Sequence, residues 1–402
     1  MSSPPLVSNA LILNTPVGLT NMGNTCFLNS ALQALLRCPP LITTFLTQDI
    51  PIREKSNKKD MVSAFNTLLR DFWSVVVKQG QRPSLAPGGF LAALYKTLQE
   101  ADDDWHSRGR QSDASEALSK LLEYLHDAMY YQVEMGIRVQ AHSEFRSQIK
   151  SIQSWQTFFQ KEYSPIVKNF YGQTRSAITC VVCGTCSERF EPFLTIKAPI
   201  PGAEIEGGSV PTLSMCLEKA YASEEIPDYD CSTCKKKTRA TKRETISHLP
   251  DVVLVAIKRF VAVPGGHGVI TKKVRGKVEW DLDNVDFMPY RTFYRDPISG
   301  VSRGEMADAN KYATVAVIEH SGTMEFGHYE MYSRSGVGAS SQWIHCNDSF
   351  IGEVPVQQVI TKDSYVMVMV PKNRQEIMEA KAIEAITKLR TAVAPMEAAK
   401  EA

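Results

Sequence analysis

The sequence predicts an α+β fold, with helices gathered in roughly the first 150 residues and strands in most of the remainder. Apolar residues recur with helical spacing as far as Met129, and from about Ile166 the texture changes to short β-forming runs broken by glycine, proline and polar residues. Length and composition set the scale. The 402 residues, 43% of them hydrophobic, suffice for two or three domains, or for one large domain with an inserted module, around a sizeable core.

Taken in order, residues 1–15 read as a flexible polar lead. Ser2, Ser3, Pro4 and Pro5 put no basic region ahead of an apolar stretch, which does not resemble a secretory signal. Gly18 and Gly23 then precede a helix in which Phe27, Leu28, Ala31, Leu32, Leu35 and Leu36 share one face, ended by Pro39 and Pro40, so Cys26 opens a helix. A second helix is expected over Met61–Lys78, with Val62, Phe65, Leu68, Leu69, Phe72 and Val76 on one face. A third covers Asp113–Met129 through Leu118, Leu121, Leu122 and Leu125. Strands are expected within Arg189–Ile200, Thr245–Phe260, Tyr312–Glu319 and Tyr365–Val370, the continuous apolar run Val252–Ile257 suiting a buried one. From Lys372 to Ala402 helical spacing returns, with Met378, Ala382, Ala385, Ile386 and Leu389 on one face; this reads as an amphipathic tail helix outside the core.

Charge and cysteine usage narrow the class. Lys and Arg number 45 against 44 Asp and Glu, a formal net charge of +1, which provides no long-range field to gather nucleic acid or an anionic membrane. No run approaches the roughly 18 apolar residues needed to cross a bilayer. Nine cysteines, an odd count in a long chain, favour a reducing compartment, so an intracellular protein, cytoplasmic and/or nuclear, is expected.

In such a compartment cysteines pack, bind metal or react. Cys26 in a first helical turn feels the positive end of the macrodipole, which favours the thiolate; alone, it would equally suit a small buried residue beneath a cap at Asn24 or Thr25. A thiolate nucleophile needs a base, and His328, after Gly327 at the start of an alternating segment, is a candidate. Asn347 and Asp348, nineteen and twenty residues further on, are both able to orient an imidazole. A Cys, a strand-borne His and an Asn or Asp in that chain order match the papain-like arrangement.

Two further groups stand out. Cys180-Val181-Val182-Cys183 and Cys231-Ser232-Thr233-Cys234 supply four thiolates on two knuckles, the donor set of a closed structural Zn²⁺ site, with Cys186 a possible stray ligand. The long separation of the pairs suits the tips of two extended hairpins. The basic run Lys235–Lys237, Arg239, Lys242 and Arg243 lacks interleaved aromatics and reads as a solvated surface, not a nucleic-acid platform. Asp113 and Glu116, just before an apolar helical run, have capping-box spacing. Asp102, Asp103 and Asp104 read as a solvated loop.

The motifs together resemble the ubiquitin-specific proteases (ubiquitin carboxyl-terminal hydrolases), papain-like cysteine peptidases. Gly18-Leu19-Thr20-Asn21 through Gly23-Asn24-Thr25-Cys26-Phe27-Leu28-Asn29-Ser30 to Gln33 matches the Cys box. Tyr312, Ala316-Val317-Ile318, His320-Ser321-Gly322, Gly327-His328-Tyr329, Tyr332, Trp343 and Asn347-Asp348 match the His box. Gln111-Ser112-Asp113-Ala114-Ser115-Glu116, Phe170, Gly172, the two Cys pairs, Leu249-Pro250 and Ile257-Lys258-Arg259-Phe260 fall between them in order. Ser112 and Ala117 depart from the usual pattern of a second Gln and an aromatic.

The resemblance implies a papain-like α+β fold with thumb, palm and zinc-bearing fingers over residues 16–371: thumb about 16–150, fingers about 173–245, palm about 151–172 and 246–371. It implies a deubiquitinating thiol protease with Cys26 as nucleophile, His328 as base, Asn347 orienting His328, Asp348 as the competing third member and Asn21 as oxyanion donor. Asp113 and Glu116 would meet the arginines of the ubiquitin tail, Cys180, Cys183, Cys231 and Cys234 would hold Zn²⁺, and no organic cofactor is needed. Ubiquitin and ubiquitinated proteins are the implied partners, and a monomer is expected. The alternative of a silent ubiquitin-binding scaffold would be marked by loss of Cys26, His328 or Asn347, all of which are present.

Overall fold

A computed structural model describes residues 12–47, 50, 52–75, 81–103, 105, 109–136, 146–201, 210–265, 268–292, 307–323, 326–336 and 341–401. Most of the polar lead, the last residues of the second predicted helix and Asp104 lie outside the described residues. The helix Cys26–Leu36 is buried along its whole length, lying between the helix Ala114–Met129 and the strand Gly327–Ser335. A helix covered on all sides must satisfy its polar residues internally. Gln33 Nε2 donates to the Val17 carbonyl at 3.0 Å, and Arg37 Nε donates to Gln33 Oε1 at 2.8 Å. Pro39 ends this helix as expected but also opens the next, Pro39–Thr47, because a first-turn position needs no N–H. Helices Lys59–Ser74 and Gly88–Glu100 join the layer.

The palm is a sheet in the order Phe350–Val354, Gln342–Asn347, Gly327–Ser335, Lys311–Gly322, Ser364–Pro371, Val253–Lys258, Thr195–Pro199, with Val285–Asp286 paired to Lys311–Gly322. The apolar runs near residues 252–257, 312–319 and 365–370 are its buried central strands. The fingers form a separate antiparallel sheet, Cys186–Phe193, Gly172–Cys180, Lys236–His248, Glu224–Cys231.

Two expectations are corrected. The fingers range 173–245 encloses a palm strand, Thr195–Pro199, which pairs in parallel with Val253–Lys258. Ile196 and Ala198 bury against Leu213 and Leu217 of the helix Leu213–Ala220, a cluster that belongs to the palm. A parallel pair requires a long crossover, and the second fingers hairpin is part of it.

The second correction concerns the C-terminal helix, Gln375–Glu401, which is not outside the core. Met378, Ala382 and Ile386 join the main apolar cluster, and the helix lies across Pro39–Thr47 and Lys59–Ser74. Arg390 fastens it by donating to the Trp73 carbonyl at 2.8 Å and to Thr15 Oγ1 at 3.0 Å. The apolar stripe read from the sequence is real, and the thumb helices present the surface that removes it from water. No helix among the described residues is long and apolar enough to cross a membrane.

Truncating Ile386, which is fully buried, to alanine should therefore destabilise the fold by about 2–5 kcal/mol in denaturant unfolding. An effect below about 0.5 kcal/mol would place the helix outside the core.

Candidate active site

Cys26 is the first residue of its helix, and neither preceding side chain caps that helix. Thr25 Oγ1 instead accepts from the Met22 N–H, and Asn24, with φ of 53°, turns its amide to the Gly109 carbonyl. The helix N-terminus is thus left to the thiol. The backbone N–H groups of Tyr329 and Phe27 reach the sulfur, and Gln111 Nε2 lies 3.5 Å from it. Burial nevertheless pushes the Cys26 thiol above its ordinary value, and the Asp348 carboxylate adds to the rise.

His328 follows Gly327 at the start of its strand. A Cβ at Gly327 would collide with the His320 ring and the Ser321 carbonyl, so the strand reaches this position only with glycine. His328 Nε2 lies 2.9 Å from Asn347 Oδ1, and His328 makes no hydrogen bond to Cys26 in this structure. The N–H that reaches the Cys26 sulfur from the sheet is that of Tyr329, the residue next to His328; catalytic hydrogen bonds are often loose before substrate binds.

Of the two candidates for orienting the imidazole, Asn347 is the one in contact. Asp348, in a left-handed turn with φ of 48°, points the other way. Its carboxylate accepts from Asn21 Nδ2 at 2.9 Å and from Asn29 Nδ2 at 2.7 Å, while its carbonyl accepts from the Leu19 N–H. Asn21 Oδ1 in turn accepts from the Gly23 and Thr25 N–H groups, fixing the loop ahead of Cys26. One N–H of the Asn21 amide is committed to Asp348; the other has no partner among the described residues.

Asp113 caps the helix Ala114–Met129, as the spacing predicted, accepting the Glu116 N–H at 3.0 Å. Its other oxygen accepts from Tyr365 Oη at 2.6 Å, while the Glu116 side chain is exposed. The reading of Asp103 as a solvated carboxylate does not hold. It accepts from Tyr124 Oη at 2.5 Å and Lys120 Nζ at 3.0 Å, and so ties its loop to that helix.

Reading the sequence alone missed two groups. Gln111 bridges thiol and base strands, its amide donating to the Gly327 carbonyl at 2.5 Å and accepting from the Gly327 N–H at 3.3 Å. Glu330 accepts from Asn347 and His345 behind the imidazole. The signal was present in the two-residue spacing of His328 with Glu330 and of His345 with Asn347, which puts all four on one face of adjacent strands.

At the fingertips, Cys180, Cys183, Cys231 and Cys234 bring their sulfurs within 4.8 Å of one another. The Cys180–Cys234 and Cys183–Cys231 separations are 4.0 and 3.5 Å. Four sulfurs placed tetrahedrally at about 2.3 Å from one centre would stand about 3.8 Å apart, so the cluster fits a metal ion. The Cys234 N–H donates to Cys231 Sγ at 3.4 Å, the turn geometry of a knuckle. Cys186 is exposed outside the cluster, its thiol donating to the Ser187 carbonyl, and none of the nine cysteines is disulfide-bonded.

Residues 17–368 match the family model described as "Ubiquitin carboxyl-terminal hydrolase". The chain belongs to the ubiquitin carboxyl-terminal hydrolase family. Among its relatives, ubiquitin carboxyl-terminal hydrolase 21 of Bos taurus is 27% identical over 392 residues, 91% of this chain and 63% of that protein. Ubiquitin carboxyl-terminal hydrolase 2 of Gallus gallus is 28% identical over 374 residues, 90% of this chain and 95% of that protein. The chain thus spans less than two thirds of the mammalian hydrolase 21 relatives. In fold it is similar to a chain of the SAGA Ubp8/Sgf11/Sus1/Sgf73 DUB module bound to ubiquitin aldehyde, with TM-score 0.63 and 20% identity over 88% of this chain and 69% of that one. The papain-like α+β fold of this family is therefore the fold of this chain.

With its thiol raised by burial and not paired to His328, Cys26 of the free protein should be alkylated by iodoacetamide at a rate that still rises beyond about pH 9. A rate that levelled off below about pH 7 would instead reveal a thiolate–imidazolium pair already formed.

Proposed function

We propose that the chain is a deubiquitinating thiol hydrolase acting on the isopeptide or peptide bond after the C-terminal glycine of ubiquitin. The observation that carries this is Cys26 at an uncapped helix N-terminus, its sulfur reached by the N–H of Tyr329 next to the Asn347-bonded His328, in a member of the ubiquitin carboxyl-terminal hydrolase family. His328 Nδ1 takes the thiol proton as Cys26 attacks the glycine carbonyl. The uncommitted N–H of Asn21 and backbone N–H groups at the helix start receive the oxyanion; a preorganised donor of this kind contributes about 3–4 kcal/mol. The imidazolium protonates the leaving lysine amine, and a water activated by His328 then hydrolyses the thioester. Substrate must first draw Cys26 and His328 together.

Asn347 orients the imidazole in this reading, and Asp348 serves the reaction by holding Asn21. Asp113 and Glu116 meet arginines of the ubiquitin tail, Glu116 through an exposed carboxylate and Asp113 only if its bond to Tyr365 is shared. Cys180, Cys183, Cys231 and Cys234 would hold Zn²⁺, which, closed by four thiolates, contributes folding energy and has no position open for hydrolysis. The chain would act as an intracellular monomer with ubiquitinated proteins as partners.

Turnover of a fluorogenic ubiquitin C-terminal substrate decides the matter. Cys26→Ala should lower kcat by at least about 1,000-fold while leaving ubiquitin binding intact; tight binding without turnover by the unsubstituted chain would make it a scaffold instead. Elemental analysis should find one zinc per chain, and Cys231→Ser should lose it together with several degrees of Tm. Metal-free protein with the same Tm would refute the zinc assignment.

A further inference from the structure

We propose that Glu330 is a positioning residue for this reaction: its carboxylate fixes which way Asn347 presents its amide, and thereby which nitrogen of His328 is left to face the thiol. The inference rests on the thiol-hydrolase reading and deepens it. His328, Glu330 and Tyr332 alternate onto one face of their strand, and the neighbouring strand places His345 and Asn347 on the same face. Asn347 Nδ2 donates to Glu330 Oε1 at 2.5 Å, and His345 Nε2 lies 2.9 Å from Glu330 Oε2. The His345 ring is itself held, stacked on Tyr332 at 4.8 Å with 15° between the planes.

The chain of donors and acceptors then has one solution. An ionised carboxylate only accepts, so Asn347 must turn its NH₂ to Glu330 and its carbonyl to His328. A carbonyl also only accepts, so His328 must carry its proton on Nε2, which leaves the lone pair on Nδ1 for the thiol proton. With the amide reversed, the proton would sit on Nδ1 and the base would point away from Cys26. An asparagine cannot choose between these two settings alone; Glu330 removes the ambiguity. Glu330 Oε1 also lies 3.7 Å from His328 Nε2, placing beside the imidazolium the negative charge that a neutral third residue lacks.

The groups facing Glu330 are His328 on its own strand, His345 and Asn347 on the next, and Glu319 opposite it on Lys311–Gly322. The hydrogen bond from His345 holds the Glu330 carboxyl below its ordinary value, so it stays ionised through the neutral range.

Kinetics and nitrogen-15 NMR of the histidine-labelled full chain test this together. Glu330→Ala should lower kcat on the fluorogenic ubiquitin substrate by about 10- to 100-fold with KM within about twofold, and should convert His328 from the Nε2–H tautomer to a mixture. Glu330→Gln keeps the shape and an acceptor oxygen, so it should fold normally, retain the tautomer and lose less kcat. Asn347→Asp should set two carboxylates against each other and lose activity, and adding Glu330→Gln should recover about tenfold by supplying a donor. Unchanged kcat and tautomer in Glu330→Ala, or no recovery in the double variant, would overturn the proposal. Should the unsubstituted chain show no turnover, the hydrolase reading fails, and the tautomers of unsubstituted and Glu330→Ala protein still decide the role of Glu330.

Discussion

The carboxylate of Asp348 is the tie on which the site depends. It receives Asn29 from within the helix Cys26–Leu36 and Asn21 from the loop before it, while the adjoining Ser349 carbonyl packs where only Gly18 allows the chain to approach. One acidic side chain in a left-handed turn thus binds thumb to palm beside Cys26. The position of Asp348 has a cost, because its charge opposes ionisation of Cys26. Opposing effects come from the helix N-terminus and from the N–H groups of Tyr329 and Phe27. In balance the Cys26 thiol stays above its ordinary value in the free protein.

Around this tie the two layers divide the labour. The sheet carries residues whose spacing must be accurate, because alternation along hydrogen-bonded strands fixes His328, Glu330, His345 and Asn347 on one face. The helical layer carries Cys26 at a helix end where backbone donors are left uncapped. Gln111 spans the junction and contacts both sides. The fingers lie in the connections around a palm strand, so their sheet begins and ends on the palm.

Elements with strong periodicity were legible in the sequence. The buried strands at Val253–Lys258 and Ser364–Pro371, the cap at Asp113 and the paired cysteines appear where residue pattern put them, because the pattern that marks each is carried by residues close in sequence. What was hidden depends on contacts between distant segments. The covered face of the C-terminal helix needs the thumb helices, and the placement of Thr195–Pro199 in the palm needs a parallel partner beyond the second fingers hairpin. Choosing between Asn347 and Asp348 needed the backbone turn that sends adjacent side chains to opposite sides. Asp103 was misread because an acidic run looks alike whether or not Tyr124 and Lys120 wait beneath it.

The docked C-terminal helix also bears on how the chain comes into being. The thumb helices precede the fingers and palm along the chain, yet part of their apolar surface packs against Met378, Ala382 and Ile386. During synthesis that surface waits uncovered while the fingers and palm emerge, and chaperones have their longest opportunity to engage it then. The layer that carries Cys26 closes once Gln375–Glu401 has emerged, so a nascent chain holds Cys26 long before that helix covers the thumb.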